Sequence, residues 1–218
     1  MFAGWYEEFV GSQQYPALEA RRELPLVTQL VLTAEGSTTL MLRTLARSEI
    51  VAEPLLARSQ PIPINDCPEL EEVFGNHKAL AVRRSRLRNS TGMIVSENLI
   101  TYRRVDREAL IPLGDQPFGL HVRERGMFER RRIFRTGVTL ATFGALPAES
   151  AGRVYEISFS TGQSVLVHEV FAPDLLPTRE NRTVSPIAQP AQPATSVGHE
   201  LVPQSSTPVG AAKLVVPQ

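Results

Sequence analysis

The residues best suited to acid chemistry in this 218-residue chain are an alternating set of arginines, Arg84, Arg86 and Arg88, and a glutamate in line with two valines, Val165-Val167-Glu169. In an extended strand alternate side chains share a face. Val82, Arg84, Arg86 and Arg88 therefore lie on one side, and Arg83, Ser85, Leu87 and Asn89 on the other. A two-residue turn at Thr91-Gly92 makes Arg86 face Glu97, Arg88 face Val95 and Arg84 face Leu99. Arg86 then has a built-in carboxylate partner, while Arg84 is left unpaired among apolar neighbours. An unpaired guanidinium suits a bidentate grip on a substrate carboxylate; the competing reading is a solvated, arginine-decorated strand. Burial of Glu169 with the two valines would raise its pKa and make it a proton carrier, whereas a surface strand would leave it inert. His168 points away from Glu169 and reads as structural.

Pro117-Phe118-Gly119 opens a helix-like run, LHVRERGM. Proline is favoured at the first helical position, and the free amides that follow can bind a carboxylate; a plain loop-to-helix joint is the alternative. The run Glu129-Arg130-Arg131-Arg132 alternates faces and has no interleaved aromatic residues. With Lys+Arg and Asp+Glu both 23, the chain is formally neutral, which argues against nucleic acid or an anionic membrane as its main partner. Cys67 is the only cysteine, so neither an intramolecular disulfide nor a cysteine-based metal site can form. No zinc, calcium or nucleophile-elbow motif is present, and neither metal nor cofactor is expected.

The elements that must position these groups are short and mixed. LVTQLVLTA is of helical length, Ser37 is a candidate N-cap for TTLMLRTLA, and EIVAEPLLAR reads as an edge strand because of Pro54. A short helix is expected over 68–75. Two similar hairpins follow, RRSRLRNSTGMIVSENLITY and RVYEISFSTGQSVLVHEVFA, each turning at Ser-Thr-Gly. Between them come a helix from Asp106, the loop LGDQPFG, another short helix and a strand around 127–136. The pattern predicts an α+β domain with an antiparallel sheet, because no βαβ rhythm or glycine-rich phosphate loop appears. Residues 1–177 form this domain; 178–218, rich in Pro, Ala, Gln, Ser and Thr, are expected to be a disordered tail.

In order, Gly36-Ser37-Thr38-Thr39, the Arg84 strand with its Gly92 turn, Gln116-Pro117-Phe118-Gly119, and Gly162 followed by Val-His-Glu169-Val-Phe-Ala-Pro resemble the chorismate pyruvate-lyases, in particular their divergent 4-hydroxybenzoate-forming branch. The resemblance spans roughly residues 24–176 and implies the lyase fold, also seen in UTRA-like effector domains: an antiparallel sheet, flanking helices and a buried ligand pocket. It implies that Arg84 holds the ring carboxylate of chorismate, that Glu169 is the essential acid/base residue, and that backbone groups at Thr38 and Phe118 touch the ligand. Phe118 stands where the lyases often have Leu. Relatives are richer in arginine in the strand before Gly162, where this chain has only Arg153, so the second carboxylate would fall to Arg86, Arg88 or Arg153.

The implied reaction needs no cofactor. Loss of the enolpyruvyl ether and of the C4 hydrogen aromatises the ring and gives pyruvate and 4-hydroxybenzoate. Arg84 and the loop amides would orient the dianion and Glu169 would move the proton. The main rival is a non-catalytic, effector-sensing domain of a transcription regulator that binds a small aromatic acid. About two dozen residues precede the resemblance, fewer than a helix-turn-helix domain needs. A lyase for a related substrate such as isochorismate is the third reading. The N-terminus does not read as a secretory signal and no apolar run is long enough to span a membrane, so a cytoplasmic enzyme is expected.

Overall fold

The structure, a computed structural model, describes residues 24–58, 67–76, 79–127, 129–143 and 147–179. The expected tail lies outside the described residues except for its opening positions. Helices α1 (Leu26–Thr33) and α2 (Thr38–Ala46) lead into strand β1 (Ile50–Arg58). Helix α3 (Pro68–Phe74) precedes the hairpin of β2 (Leu80–Asn89) and β3 (Ile94–Arg103). A 3-10 turn (Arg104–Asp106), helix α4 (Arg107–Leu110) and helix α5 (Phe118–Glu124) connect to β4 (Glu129–Ala141), β5 (Ala148–Phe159) and β6 (Ser164–Phe171).

All the pairings are antiparallel, in one six-stranded sheet of order β1-β2-β3-β6-β5-β4. The fold is thus the expected α+β arrangement of one sheet with short helices. Two three-stranded meanders meet along their last strands. Pro54 lies on the edge strand beside a register irregularity, where its missing N–H costs the ladder least.

Both hairpins turn alike. Asn89 N–H donates to Met93 O and Gly92 N–H to Asn89 O, and Phe159, Gln163 and Gly162 repeat the pattern. Gly92 and Gly162 have φ of 82° and 84°, the left-handed geometry that closes a three-residue loop and favours glycine. This loop is one residue longer than the expected turn at Thr91-Gly92, so Arg88 faces Ile94 rather than Val95. A bulge between the Leu87 and Arg88 pairings then absorbs the extra residue. Beyond it Arg86 faces Glu97 and Arg84 faces Leu99, as the alternation predicts.

The two faces of the sheet are covered differently. Val31 and Leu32 of α1 and Leu42 of α2 pack on Ala52, Leu87, Ala151 and Phe171. Phe118 and Val122 of α5 and Leu110 of α4 pack on Ile100, Tyr155, Ile157, Val165 and Val167 of the same face. On the opposite face α3 sets Leu70 and Phe74 against Val82, Leu99, Val154 and Leu166. Each such buried Leu, Phe or Val contributes about 1.5–3 kcal/mol. Among the described residues no helix is long and apolar enough to cross a membrane.

Candidate functional site

A polar line runs across the helix-covered face. Ser85, Asn98, Glu169, Arg153 and Thr136, one from each of five strands, stand opposite one another in successive pairings. Ser85 Oγ donates to Asn98 Oδ1 at 2.7 Å. Glu169 is 2% exposed, and its Oε2 accepts from the Tyr155 hydroxyl at 3.2 Å and from Arg153 Nη2 at 3.4 Å. Arg153 is fully buried; its Nη1 donates to Val31 O and Ala34 O, both at 2.9 Å, and its Nη2 also donates to Thr38 Oγ1. The Val31 and Ala34 carbonyls lie at the C-terminal end of α1, where helix geometry leaves acceptors for a cation. The Arg153 guanidinium sits 4.5 Å from the Tyr155 ring centroid. Burial, reinforced by the Glu169 charge, pushes the Tyr155 hydroxyl up to about 12, so it remains a donor at neutral pH.

A second buried arginine closes the site from β4. Arg131 donates through Nη1 to Gly36 O and to Thr38 Oγ1 (3.3 Å), and through Nη2 to Glu129 Oε1 (2.9 Å). Its Nε is buried without a hydrogen-bond partner among the described residues. Both arginines therefore meet at Thr38, the first residue of α2. Ser37 holds the N-cap position as expected, but its side chain makes no capping bond.

Arg131, Thr38, Thr39, Asn98, Tyr155 and Glu169 form the polar wall of a cavity of about 30 Å³, and Leu87, Phe118, Ile157 and Val167 form its apolar wall. That volume is about one water's share of liquid. Gly119 is what lets α5 close against α2: a Cβ there would lie 2.9 Å from Thr39 Oγ1 and 3.4 Å from Ser37 Oγ. Among the described residues no group of three or more His, Cys, Asp or Glu side chains could hold a metal ion.

The structure brings Glu169, Thr38 and Phe118 to one cavity and separates them from Arg84 and Arg86. Those two arginines lie on the opposite face, where Arg84 Nε donates to Glu97 Oε1 at 2.5 Å and Arg86 Nε to Glu97 Oε2 at 2.9 Å. The expectation of an unpaired Arg84 is therefore corrected: Glu97 reaches sideways along β3 as well as across to Arg86, and takes both. Arg153 sits behind Glu169, with Nη1 and Nη2 committed to α1, Thr38 and Glu169, while its Nε is buried without a partner among the described residues. Of the two alternatives that alternation left open for Glu169, the structure has the buried one, with Arg153 and Tyr155 as donors beside the valines.

Sequence reading missed Arg131, Tyr155 and Asn98. For Arg131 the signal was present, since it alternates with Ile133, which packs on the core cluster around α5. His168 is fully buried on the far face; burial, helped by Arg135, depresses it to about 3, so it is neutral at ordinary pH.

No family model matches the chain, and no curated protein matches it. Solved structures do match. The effector domain of PhnF from Mycobacterium smegmatis is 11% identical, covering 64% of this chain and 90% of that one, with a TM-score of 0.47. PhnF from the same organism is 10% identical over 66% of this chain and 67% of that one, with a TM-score of 0.48. The possible transcriptional regulator YydK from Bacillus subtilis is 10% identical, with a TM-score of 0.43; the match covers 58% of this chain and 59% of that one.

Proposed function

We propose that the cavity beneath α2 is the binding site of a small hydroxylated aromatic acid, and that the chain is a ligand-binding domain for such acids. The observation that carries this reading is the division of the cavity wall. Arg131, with Thr38 and Thr39 at the start of α2, gives a carboxylate its place on the wall, Glu169 gives a hydroxyl an acceptor at another, and Leu87, Phe118, Ile157 and Val167 provide an apolar slot. With Arg84 on the other face, the ring carboxylate falls to Arg131. A cavity of about 30 Å³ is far below the ~300 Å³ or more of ordinary ligand pockets, so binding requires α5 to move away from α2. Calorimetric titration with 4-hydroxybenzoate tests this. Arg131→Gln should weaken binding about tenfold or more, the loss of a charge-assisted hydrogen bond; unchanged affinity would sink the assignment.

Catalysis is the second reading, and one observation favours it: the Glu169 carboxylate and the Tyr155 hydroxyl lie side by side, buried, at the cavity wall. On that reading the chain is a chorismate pyruvate-lyase with Glu169 as the acid/base residue, and isochorismate is the related substrate to assay beside chorismate. Pyruvate release from chorismate should then fall by ~10²–10⁴ in Glu169→Gln, the usual contribution of a positioned acid/base group. Binding of 4-hydroxybenzoate with no pyruvate release from wild type would leave the ligand-binding reading alone.

A further inference from the structure

We propose that a second cavity, bounded by β1, β2 and α5, binds a small carboxylic acid that also carries a hydroxyl, with the buried guanidinium of Arg83 as its anchor. The inference goes beyond the first cavity and does not rest on it, since no residue lines both.

Arg83 stands on the helix-covered face of β2, opposite Ile100, and is 3% exposed. Its Nη2 donates to Gly114 O at 3.3 Å, while its Nη1 is buried without a hydrogen-bond partner among the described residues. Every other buried or half-buried arginine discussed above has a carboxylate within ion-pair distance: Arg84 and Arg86 share Glu97, Arg131 has Glu129 and Arg153 has Glu169. Arg83 has none among the described residues. A guanidinium removed from water with neither counterion nor full hydrogen bonding is costly, and its orphan donor calls for an anionic acceptor.

Arg83 also lines a cavity of about 750 Å³, with Arg107 and Arg125 exposed at its rim and Ile111 and Pro112 in its wall. Among the described residues of the lining Glu108 is the single acidic side chain, so positive charge is in excess there. The volume lies within the range of small-molecule sites, and the mixture of apolar wall and arginine is that of a site for an organic acid.

His121 adds the second requirement. Gln116 Nε2 donates to Glu124 Oε2, which leaves Gln116 Oε1 to face His121 Nδ1 at 3.0 Å. An oxygen there requires the proton on Nδ1. Burial, with Arg125 next, lowers the pKa of the ring and keeps it neutral, so Nε2 is a lone-pair acceptor. That Nε2 is buried without a partner among the described residues. Arg83 and His121 thus both line the cavity, and each holds a polar atom without a partner among the described residues just beneath its wall, a donor on Arg83 and an acceptor on His121; a carboxylate and a hydroxyl on one molecule that pushes between them would satisfy both.

Calorimetric titration of the full chain with 3-hydroxybenzoate, 4-hydroxybenzoate and benzoate tests the proposal. At least one hydroxybenzoate should bind about fivefold or more tighter than benzoate, and His121→Leu should erase that preference. Arg83→Gln should weaken this binding about tenfold or more. The exposed pair Arg107→Ser/Arg125→Ser leaves the core untouched, and should weaken it about threefold or more even if Arg83→Gln fails to fold. Wild-type affinity in both Arg83→Gln and the rim variant would overturn the proposal, as would no binding of any of the three acids. Benzoate binding as tightly as both hydroxybenzoates overturns the His121 assignment. Binding lost in Arg131→Gln alone overturns this site and leaves the first cavity standing.

Discussion

The two faces of this sheet use the same arginine–glutamate chemistry at very different depths. On the helix-covered face Arg153 and Glu169 meet at 0% and 3% side-chain exposure, in the middle of the sheet. On the other face Arg84 and Arg86 are 23% and 29% exposed, and Arg132 is 48% exposed between Glu72 and Glu156. The centre of that face is apolar, with Leu99, Val154 and Leu166 around a neutral His168. A buried pair chiefly imposes a penalty on its own disruption, whereas exposed pairs contribute ~0–1 kcal/mol. The first face has charges that cannot be moved cheaply, the second charges that can.

The largest effect expected from this contrast is at Arg153. Arg153→Met strands Glu169, Val31 O and Ala34 O in the interior and should cost about 3–5 kcal/mol. Arg84→Met on the other face should cost about 1 kcal/mol or less. Urea unfolding of the two variants measures the difference, and equal costs would break the comparison.

His168 makes the far face sensitive to acid. The folded chain keeps it neutral down to about pH 3, whereas an unfolded histidine takes up its proton near pH 6.5. The unfolded chain therefore binds more protons between these values. The stability tied to a neutral His168 is full above pH 6.5 and lost as pH falls towards 3, roughly 3 kcal/mol of it by pH 4. His121, also depressed, adds to the loss with the same sign. His168→Leu should lose visibly less stability than wild type between pH 7 and pH 4; parallel losses would show that another group controls the acid limb.

Smaller still is the effect of crowding the seam between α5 and α2. Gly119→Ala puts a Cβ 2.9 Å from Thr39 Oγ1 and should cost about 1–2 kcal/mol while holding the first cavity partly open. A melting temperature unchanged from wild type would mean that Thr39 simply rotates away.

Strand alternation made most of this legible. It separated Val165, Val167 and Glu169 from His168, and it gave the Arg86–Glu97 register despite a longer turn, because the bulge at Arg88 restored the count. What alternation could not show is which face α1, α2, α4 and α5 cover. Arg83 and Arg84 are neighbours in sequence with similar surroundings, and the packing of α5 decides which of them reaches a cavity. Nor can spacing tell a ligand-facing arginine from one that holds carbonyls, and Arg153, one of three candidates that the resemblance offered for the second carboxylate, donates to Val31 O and Ala34 O. Its partners Val31 and Ala34 are more than a hundred residues away in sequence.

The smallest effects expected are those of Arg84→Lys and Arg86→Lys, and they test the corrected role of this pair. Glu97 is 7% exposed and accepts from both arginines. Either substitution alone leaves the other guanidinium in place, so each should cost about 0.5 kcal/mol or less of stability. Removing both with Arg84→Met/Arg86→Met leaves a largely buried carboxylate unpaired. The double variant should therefore exceed the sum of its single variants by roughly 1–2 kcal/mol, the non-additivity of residues that share a partner. Neither lysine variant should change the affinity for 4-hydroxybenzoate, because both side chains face away from the Glu169 cavity. Strict additivity would show that Glu97 relies on only one of them. A loss of ligand affinity in Arg84→Lys alone would restore this arginine to the binding site and undo the division of the sheet into a ligand face and a structural one.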